Sequence, residues 1–179
     1  MEHTQYTESA TSFEFLGARV PDAVLSHMMN GDQDAVWAWM EDHPLVVVGR
    51  TTHFIEPADA DAPVTIKAVN MGENATSVTI SETIPAAFEA SGFSLEPSRT
   101  SVTDGGAITH EFDVDIAGAI LTGEYEHTDY GMLTIDYTLS VSGGNCQGRY
   151  TGHTPQAEWM DSDGVMHTTE GSPLILSCP

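Results

Sequence analysis

The sequence predicts an all-β protein, an antiparallel up-and-down β-barrel of about eight strands with a short helical N-terminal segment capping one end. Apolar and polar residues alternate along most of the chain after residue 44, which is the period of a half-buried strand. Connectors rich in Gly and Asp separate these segments, and such residues suit tight hairpins. A meander of about eight strands usually closes on itself, because closure removes the exposed edges.

Two short helices are predicted before the strands begin. Pro21 suits the first turn of a helix and Asn30-Gly31 suits its end, which places the first helix at about 21 to 29. Asp32 can cap a second helix, and Pro44 must end it.

The chain is predicted to form one domain, because no linker or shift in composition divides it. Residues 1–43 would form an arm and helices, interpreted as a lid, and residues 44–179 would form the barrel.

The clearest strand pattern lies at 108–116. Phe112, Val114 and Ile116 share one face there, while acidic residues share the other. Further strands are expected near 46–55, 64–70, 76–84, 93–95, 98–103, 120–128, 132–141, 146–152, 156–161, 165–169 and 174–177. The hairpin turns are expected at 71–74, 104–106, 129–131, 142–145 and 161–164.

Acidic residues outnumber Lys and Arg by 27 to 5, giving a formal charge of -22. Such a surface repels phosphate backbones and anionic lipids, so neither nucleic acid nor a membrane is an expected partner. Small molecules and basic proteins remain as the expected binding partners. A solvated acidic face and adaptation to high salt both explain the charge, and the sequence does not separate them.

The first residues lack the basic and apolar regions of a secretory signal, and no window is apolar enough to span a membrane, so we expect a cytoplasmic protein. Cys146 and Cys178 could form a disulfide if their strands are neighbours, or remain free thiols. No metal or cofactor is expected, because the histidine and cysteine spacings match no metal motif and no Gly-rich turn precedes a helix.

Several polar and aromatic residues fall on faces that the alternation predicts to be buried. Glu82 shares a face with Ile80 and Ile84, so it is either a desolvated acid or a residue near a strand end that reaches water. The aromatic residues are either ordinary core or the lining of a pocket. The candidates for a catalytic polar role are Glu82, His110, His127 and Tyr137. The candidates for substrate contact are Tyr125, Trp159, Met132, Trp37 and Met28.

Trp37 and Met28 lie on the predicted helices. At that spacing they form the core-facing stripe of a helix, or they belong to a lid that adapts to an apolar ligand.

The segment Gly148-Arg149-Tyr150-Thr151-Gly152-His153-Thr154, followed by Trp159-Met160, resembles small β-barrels of the allene oxide cyclase-like type. Within that type the chain is most similar to the spirocyclases of spirotetronate and spirotetramate biosynthesis, and 131–134 and 141–144 also resemble their late strands. The resemblance covers about a third of the chain. It implies a cofactor-free enzyme for a [4+2] cycloaddition, with an N-terminal helical cap of the pyrroindomycin type.

The expected function is therefore cyclisation of a linear polyene bearing a tetronate or tetramate ring inside an apolar barrel. Two alternatives stay open: a lipocalin-like barrel that carries a small hydrophobic ligand, and an acidic interaction protein with a filled barrel. The expected partner is a small hydrophobic polyketide-like substrate, with a homodimer as an open alternative.

Overall fold

The computed structural model describes residues 13–15, 18–50, 54–55, 61–123, 126–129, 131–141, 148–173 and 175–178. The two helices are α1 (Asp22–Met29) and α2 (Gln33–Asp42). The strands are β1 (Phe13–Phe15), β2 (Ala18–Val20), β3 (Val46–Arg50), β4 (Phe54–Ile55), β5 (Ala62–Asn70), β6 (Ala75–Ile84), β7 (Phe88–Ser91), β8 (Arg99–Val102), β9 (Ile108–Ile116), β10 (Ile120–Gly123), β11 (Glu126–Asp129), β12 (Gly131–Val141), β13 (Gly148–Thr151), β14 (Gln156–Met160), β15 (Met166–Glu170) and β16 (Ile175–Cys178).

Both predicted helices are confirmed, and their ends follow the local signals. Helix α1 begins directly after Pro21 and ends at Asn30. The Asp32 carboxylate accepts a hydrogen bond of 3.1 Å from the backbone N–H of Ala35, so it caps α2 as expected. Gly31 has a positive φ and ends the first helical segment, and Pro44 lies just after the last turn of α2 and prevents its continuation.

The protein is mostly β, and almost all strand pairs are antiparallel. The largest sheet has the order β1-β2-β15-β14-β6-β9-β8, and a four-stranded sheet has the order β3-β5-β12-β7. Two small sheets consist of β10-β11 and of β13-β16-β4, in which β16 and β4 run parallel.

The inner faces of the two large sheets meet in one hydrophobic core. The seven-stranded sheet contributes the cross-strand row Ala157, Ile80 and Phe112. The four-stranded sheet contributes Ile66 and Ile135, which are also paired across strands and buried. Since side chains alternate along a strand, every second residue of these strands enters the core.

The predicted up-and-down order is wrong for much of the chain. Strand β14 lies between β15 and β6, and β12 lies between β5 and β7, so neighbours in the sheets are often distant in sequence. The hairpin turns at 104–106 and 161–164 are confirmed, because they join the pairs β8–β9 and β14–β15. The turn predicted at 142–145 lies outside the described residues.

No pairing is found between the strands that the structure describes on either side of the connectors at 71–74 and 129–131, and residue 130 itself lies outside the described ranges. Strand β5 belongs to the four-stranded sheet and β6 to the seven-stranded sheet, so the connector at 71–74 crosses from one layer to the other. Gly72 passes so close to the end of α2 that an added Cβ would lie 2.1 Å from the carbonyl oxygen of His43. A side chain at that position would displace the crossing.

Closure into a barrel is not confirmed. Among the described residues, no backbone pairing joins the two large sheets into a cylinder. No helix in the described ranges is long and apolar enough to cross a membrane.

Candidate functional site

A buried ion pair joins the two sheets. Arg50, at the end of β3, and Glu82, in β6, have side chains with no solvent exposure. Arg50 Nε donates to Glu82 Oε2 at 3.1 Å, and Arg50 Nη2 donates to Glu82 Oε1. The pair is therefore bidentate, which is the geometry that a guanidinium and a carboxylate favour. Burying two charges is expensive, and only such complete pairing offsets the cost.

Arg50 also holds two loops. Its Nη1 donates to the backbone carbonyl of Ser172 at 3.1 Å, and its Nη2 donates to the carbonyl of His153 at 2.9 Å. One side chain thus connects Glu82 with the segments before β14 and after β15. These contacts use four of the five N–H donors of the guanidinium.

Tyr137 extends this cluster from β12. Its side chain is buried, and its hydroxyl lies beside Glu82 and Arg50 at the limit of hydrogen-bonding geometry, without a well-formed hydrogen bond to any described residue. It lies close enough to Glu82 and Arg50 for both charges to affect its ionisation. An unpaired buried hydroxyl costs about 1 to 3 kcal/mol, so this group is available to a ligand or a water molecule.

The ring of Phe93 connects Tyr137 with two further aromatic side chains. The ring of Phe93, which follows β7, lies 5.2 Å from the ring of Tyr137, 4.7 Å from that of His110 and 5.5 Å from that of Phe112. His110 is the direct cross-strand partner of Glu82, and its Nδ1 lies 3.2 Å from the hydroxyl oxygen of Thr100. The cluster therefore combines apolar walls with a few polar atoms, as in many small-molecule sites.

Burial controls ionisation throughout the cluster. It raises the pKa of Glu82, although the neighbouring charge of Arg50 opposes the change. Burial, and then the negative charge of Glu82, raise the pKa of Tyr137 far above its usual range, so the phenol keeps its proton. Burial lowers the pKa of His110, which favours the neutral imidazole.

A second cluster forms where α2 meets the β14–β15 hairpin. His167 Nε2 lies 2.6 Å from Asp161 Oδ2, and both side chains are buried. The His167 ring lies 5.6 Å from that of Trp159 and 5.7 Å from that of Trp39. The indole N–H of Trp159 is buried and has no partner among the described residues.

The structure brings three of the four predicted catalytic residues together and places Trp159, a predicted substrate-contact residue, in the other cluster. Glu82, His110 and Tyr137 belong to the Arg50 cluster, whereas Trp159 belongs to the cluster beneath α2. Tyr125 and the side chain of His127 lie outside what the structure describes.

Met132 does not line the core. Its side chain is 61% exposed, because the alternation along β12 places Ile135 and Tyr137 inside and Met132 outside. On the helices, Trp37 and Met28 are both partly exposed. Trp39 of α2 and His43, just after the helix, contact the hairpin region, and His43 Nε2 lies 3.6 Å from Asp163 Oδ2.

The sequence reasoning missed Arg50, Phe93 and the His167–Asp161 pair. A signal for Arg50 was present, because the alternation in β3 puts Val46, Val48 and Arg50 on one buried face. Phe93 carried no comparable signal, since its partner Tyr137 is distant in sequence. His167 and Asp161 are only six residues apart at the ends of a predicted hairpin, so their pairing could have been anticipated from that turn.

No protein-family model matches the chain, and no curated protein matches its sequence significantly. The fold is similar to several solved structures. BcpA, the major pilin subunit of Bacillus cereus, shares 11% identity at a TM-score of 0.48, over 75% of this chain and 40% of that one. This chain thus spans well under half the length of BcpA.

A non-cellulosomal cohesin from Archaeoglobus fulgidus shares 16% identity at a TM-score of 0.38, over 74% of this chain and 85% of that one. AvmM, which catalyses macrocyclisation in alchivemycin A biosynthesis, shares 9% identity at a TM-score of 0.40, over 76% of this chain and 90% of that one. All three TM-scores lie below 0.5, and these structures do not assign a function to this chain.

Proposed function

We propose that this protein is a cyclase that acts without a cofactor on a linear polyene bearing a tetronate or tetramate ring, and that it promotes an intramolecular [4+2] spirocyclisation. The observation that carries the proposal is the buried, unpartnered hydroxyl of Tyr137 beside the Arg50–Glu82 pair. The resemblance of 148–154 and 159–160 to spirocyclases adds the reaction class.

Such a reaction needs no nucleophile, because both reacting ends belong to one flexible molecule. Holding the diene and the dienophile in contact can remove several kcal/mol from the barrier, since the entropy of ordering the chain is then lost on binding. Apolar walls suit this task, and Phe93 and Phe112 supply them next to Tyr137.

Tyr137 would donate a hydrogen bond to the carbonyl oxygen of the substrate ring. Electron density moves toward that oxygen as the new bonds form, so the hydrogen bond strengthens in the transition state. The raised pKa of Tyr137 means that the phenol is protonated at neutral pH, as an ordinary tyrosine is, and can therefore donate. His110 is a second candidate donor, through whichever ring nitrogen carries its proton.

Glu82 takes a different role in this proposal from the acid or base that its sequence position suggests. Both of its carboxylate oxygens accept hydrogen bonds from Arg50. We therefore assign the pair to holding Tyr137 and the two loops in place. Because the inner faces of the two sheets pack together in one core, the substrate would bind at the edge of that core, beside the partly buried Phe93, with the helices as the proposed lid.

A matched pair of variants tests the role of the hydroxyl. Tyr137→Phe should lower the turnover of a linear tetramate polyene by about tenfold to a hundredfold, while the far-ultraviolet circular dichroism stays unchanged. Tyr150→Phe is the control, because Tyr150 is a partly buried tyrosine that packs on Phe88 in another strand. Equal turnover in both variants and the unaltered protein would contradict the proposal.

A carrier of a small hydrophobic ligand is the second candidate, and one observation favours it. The two charges of the site neutralise each other and are fully buried, so neither offers a free acid or base. A carrier would retain the linear polyene unchanged, and Tyr137→Phe would then weaken binding without any product forming. Mass analysis of the bound molecule separates the two functions.

A further inference from the structure

The outer face of the β14–β15 hairpin carries an exposed apolar patch. Met160 and Met166 are direct cross-strand partners and are 54% and 50% exposed. Val165 is also about half exposed, but it pairs with the buried Asp161 at the turn and does not belong to the row of the two methionines. Paired residues lie on the same face of a ribbon, so the two methionines form one continuous surface. Their neighbours Trp159 and His167 point into the protein.

This end of the hairpin extends beyond the rest of its sheet. Strand β14 pairs with β6 only from Gln156 to Glu158, and β15 pairs with β2 only at Glu170. The row of Met160 and Met166 therefore has no strand beside it among the described residues. A single exposed methionine is ordinary, whereas a contiguous group at the tip of a ribbon is typical of a docking surface.

Carboxylates flank the patch on both sides. Glu158 occupies the next outward position on β14, and Asp163 is exposed at the turn. No Lys or Arg occurs from Tyr150 to the last residue, and the basic side chain that the structure shows beside these carboxylates is His43, 3.6 Å from Asp163. A second copy of the chain would bring like charges together across the patch, which is unfavourable.

We propose that this patch, formed by Met160 and Met166, binds a basic amphipathic segment of a partner protein. Apolar side chains of the partner would cover the methionines, whose flexible thioethers adapt to different shapes. Lysine or arginine residues of the partner would face Glu158 and Asp163. The acidic surface would accelerate the encounter, and the apolar contacts would localise it. This inference does not depend on the proposed enzymatic activity.

A labelled amphipathic peptide of leucine and lysine serves as the probe, with fluorescence anisotropy at about 0.15 M salt as the measurement. The double variant Met160→Thr/Met166→Thr should weaken binding about tenfold, because it removes most of the apolar contact. Met132→Thr is the control, since Met132 is an isolated exposed methionine on another sheet, and it should change the Kd by less than about twofold. Threonine suits strand positions, so both proteins should fold.

Three results would overturn the proposal. The first is that the peptide does not bind the protein. The second is that the double variant and the control bind the peptide equally well, which would mean that general charge attraction explains the interaction. Sedimentation could also show a dimer that the double variant dissociates, and the occupant of the patch would then be a second copy. Glu158→Gln should lower both the affinity and its dependence on salt, and unchanged values would contradict the charge contribution.

Discussion

Replacing Arg50 by methionine isolates the energetic role of the buried ion pair. The substitution leaves the Glu82 carboxylate without its partner in the core, and it also removes the donors to the carbonyls of His153 and Ser172. Breaking a buried pair in this way costs about 3 to 5 kcal/mol. A domain of this size has a total stability of about 5 to 15 kcal/mol, so the loss is large enough to measure and small enough for folding to survive.

Urea unfolding, followed by tryptophan fluorescence, gives the free energy of unfolding. Arg99→Met is the matched control, because Arg99 forms an ion pair with Glu111 but is 71% exposed. An exposed pair contributes less than about 1 kcal/mol. The double variant Arg50→Met/Glu82→Leu should recover much of the lost stability, since an apolar pair can replace a buried ion pair.

The pH dependence of Arg50→Met provides a second test. Without Arg50, burial is opposed only by Tyr137, so the pKa of Glu82 rises further above the unfolded value. A carboxyl whose pKa is raised on folding destabilises the protein at high pH, and the penalty falls as pH drops below the folded pKa. The gap in stability between the variant and the unaltered protein should therefore narrow in mild acid. If Arg50→Met costs no more than Arg99→Met, or the gap widens in acid, the reasoning is wrong.

Three further predictions concern polar side chains outside this pair. Hydrogen bonds from His167 and two backbone amides overcome the effect of burial and hold the pKa of Asp161 below its ordinary 3.8. The stabilisation from these bonds is present above that pH and is lost as the pH falls, so the free energy of unfolding of Asp161→Asn should depend less on pH in acid. An unchanged pH dependence would contradict this reasoning. Asn70→Ala should lower the free energy of unfolding, measured in urea, by at least about 2 kcal/mol. The buried Asn70 side chain accepts hydrogen bonds from two backbone amides and donates to two carbonyls, and alanine removes all four. A smaller decrease would mean that water replaces the side chain. Asp32→Ala should cost about 1 kcal/mol through loss of the α2 cap, and helical circular dichroism should decrease with it; identical stability would show that the cap is unimportant.

The sequence predicted local structure well because local structure depends on residues close together. Pro21 and Asp32 marked the starts of the helices, and alternation gave the buried face of β9 and the inward position of Glu82. Two hairpins followed from their Asp and Gly turns.

The pairing of distant strands could not be read in the same way. A turn sequence shows that the chain reverses, but it does not say whether the next strand pairs with the last one or crosses to the facing sheet, as at Gly72. The candidate site was predicted in part for this reason. Glu82 and Tyr137 were found by their faces, whereas Arg50 was missed although its own alternation placed it inside.

The position of β14 between β15 and β6 has a consequence for synthesis of the chain. During translation, β6 emerges about 70 residues before the strand that covers its edge, so that edge stays open while β7 to β13 are made. Pairings between such distant segments make folding slow and expose nascent chains to aggregation. Ribosome-bound chains that end before β14 should therefore need chaperones, and the acidic surface would help to keep these chains apart.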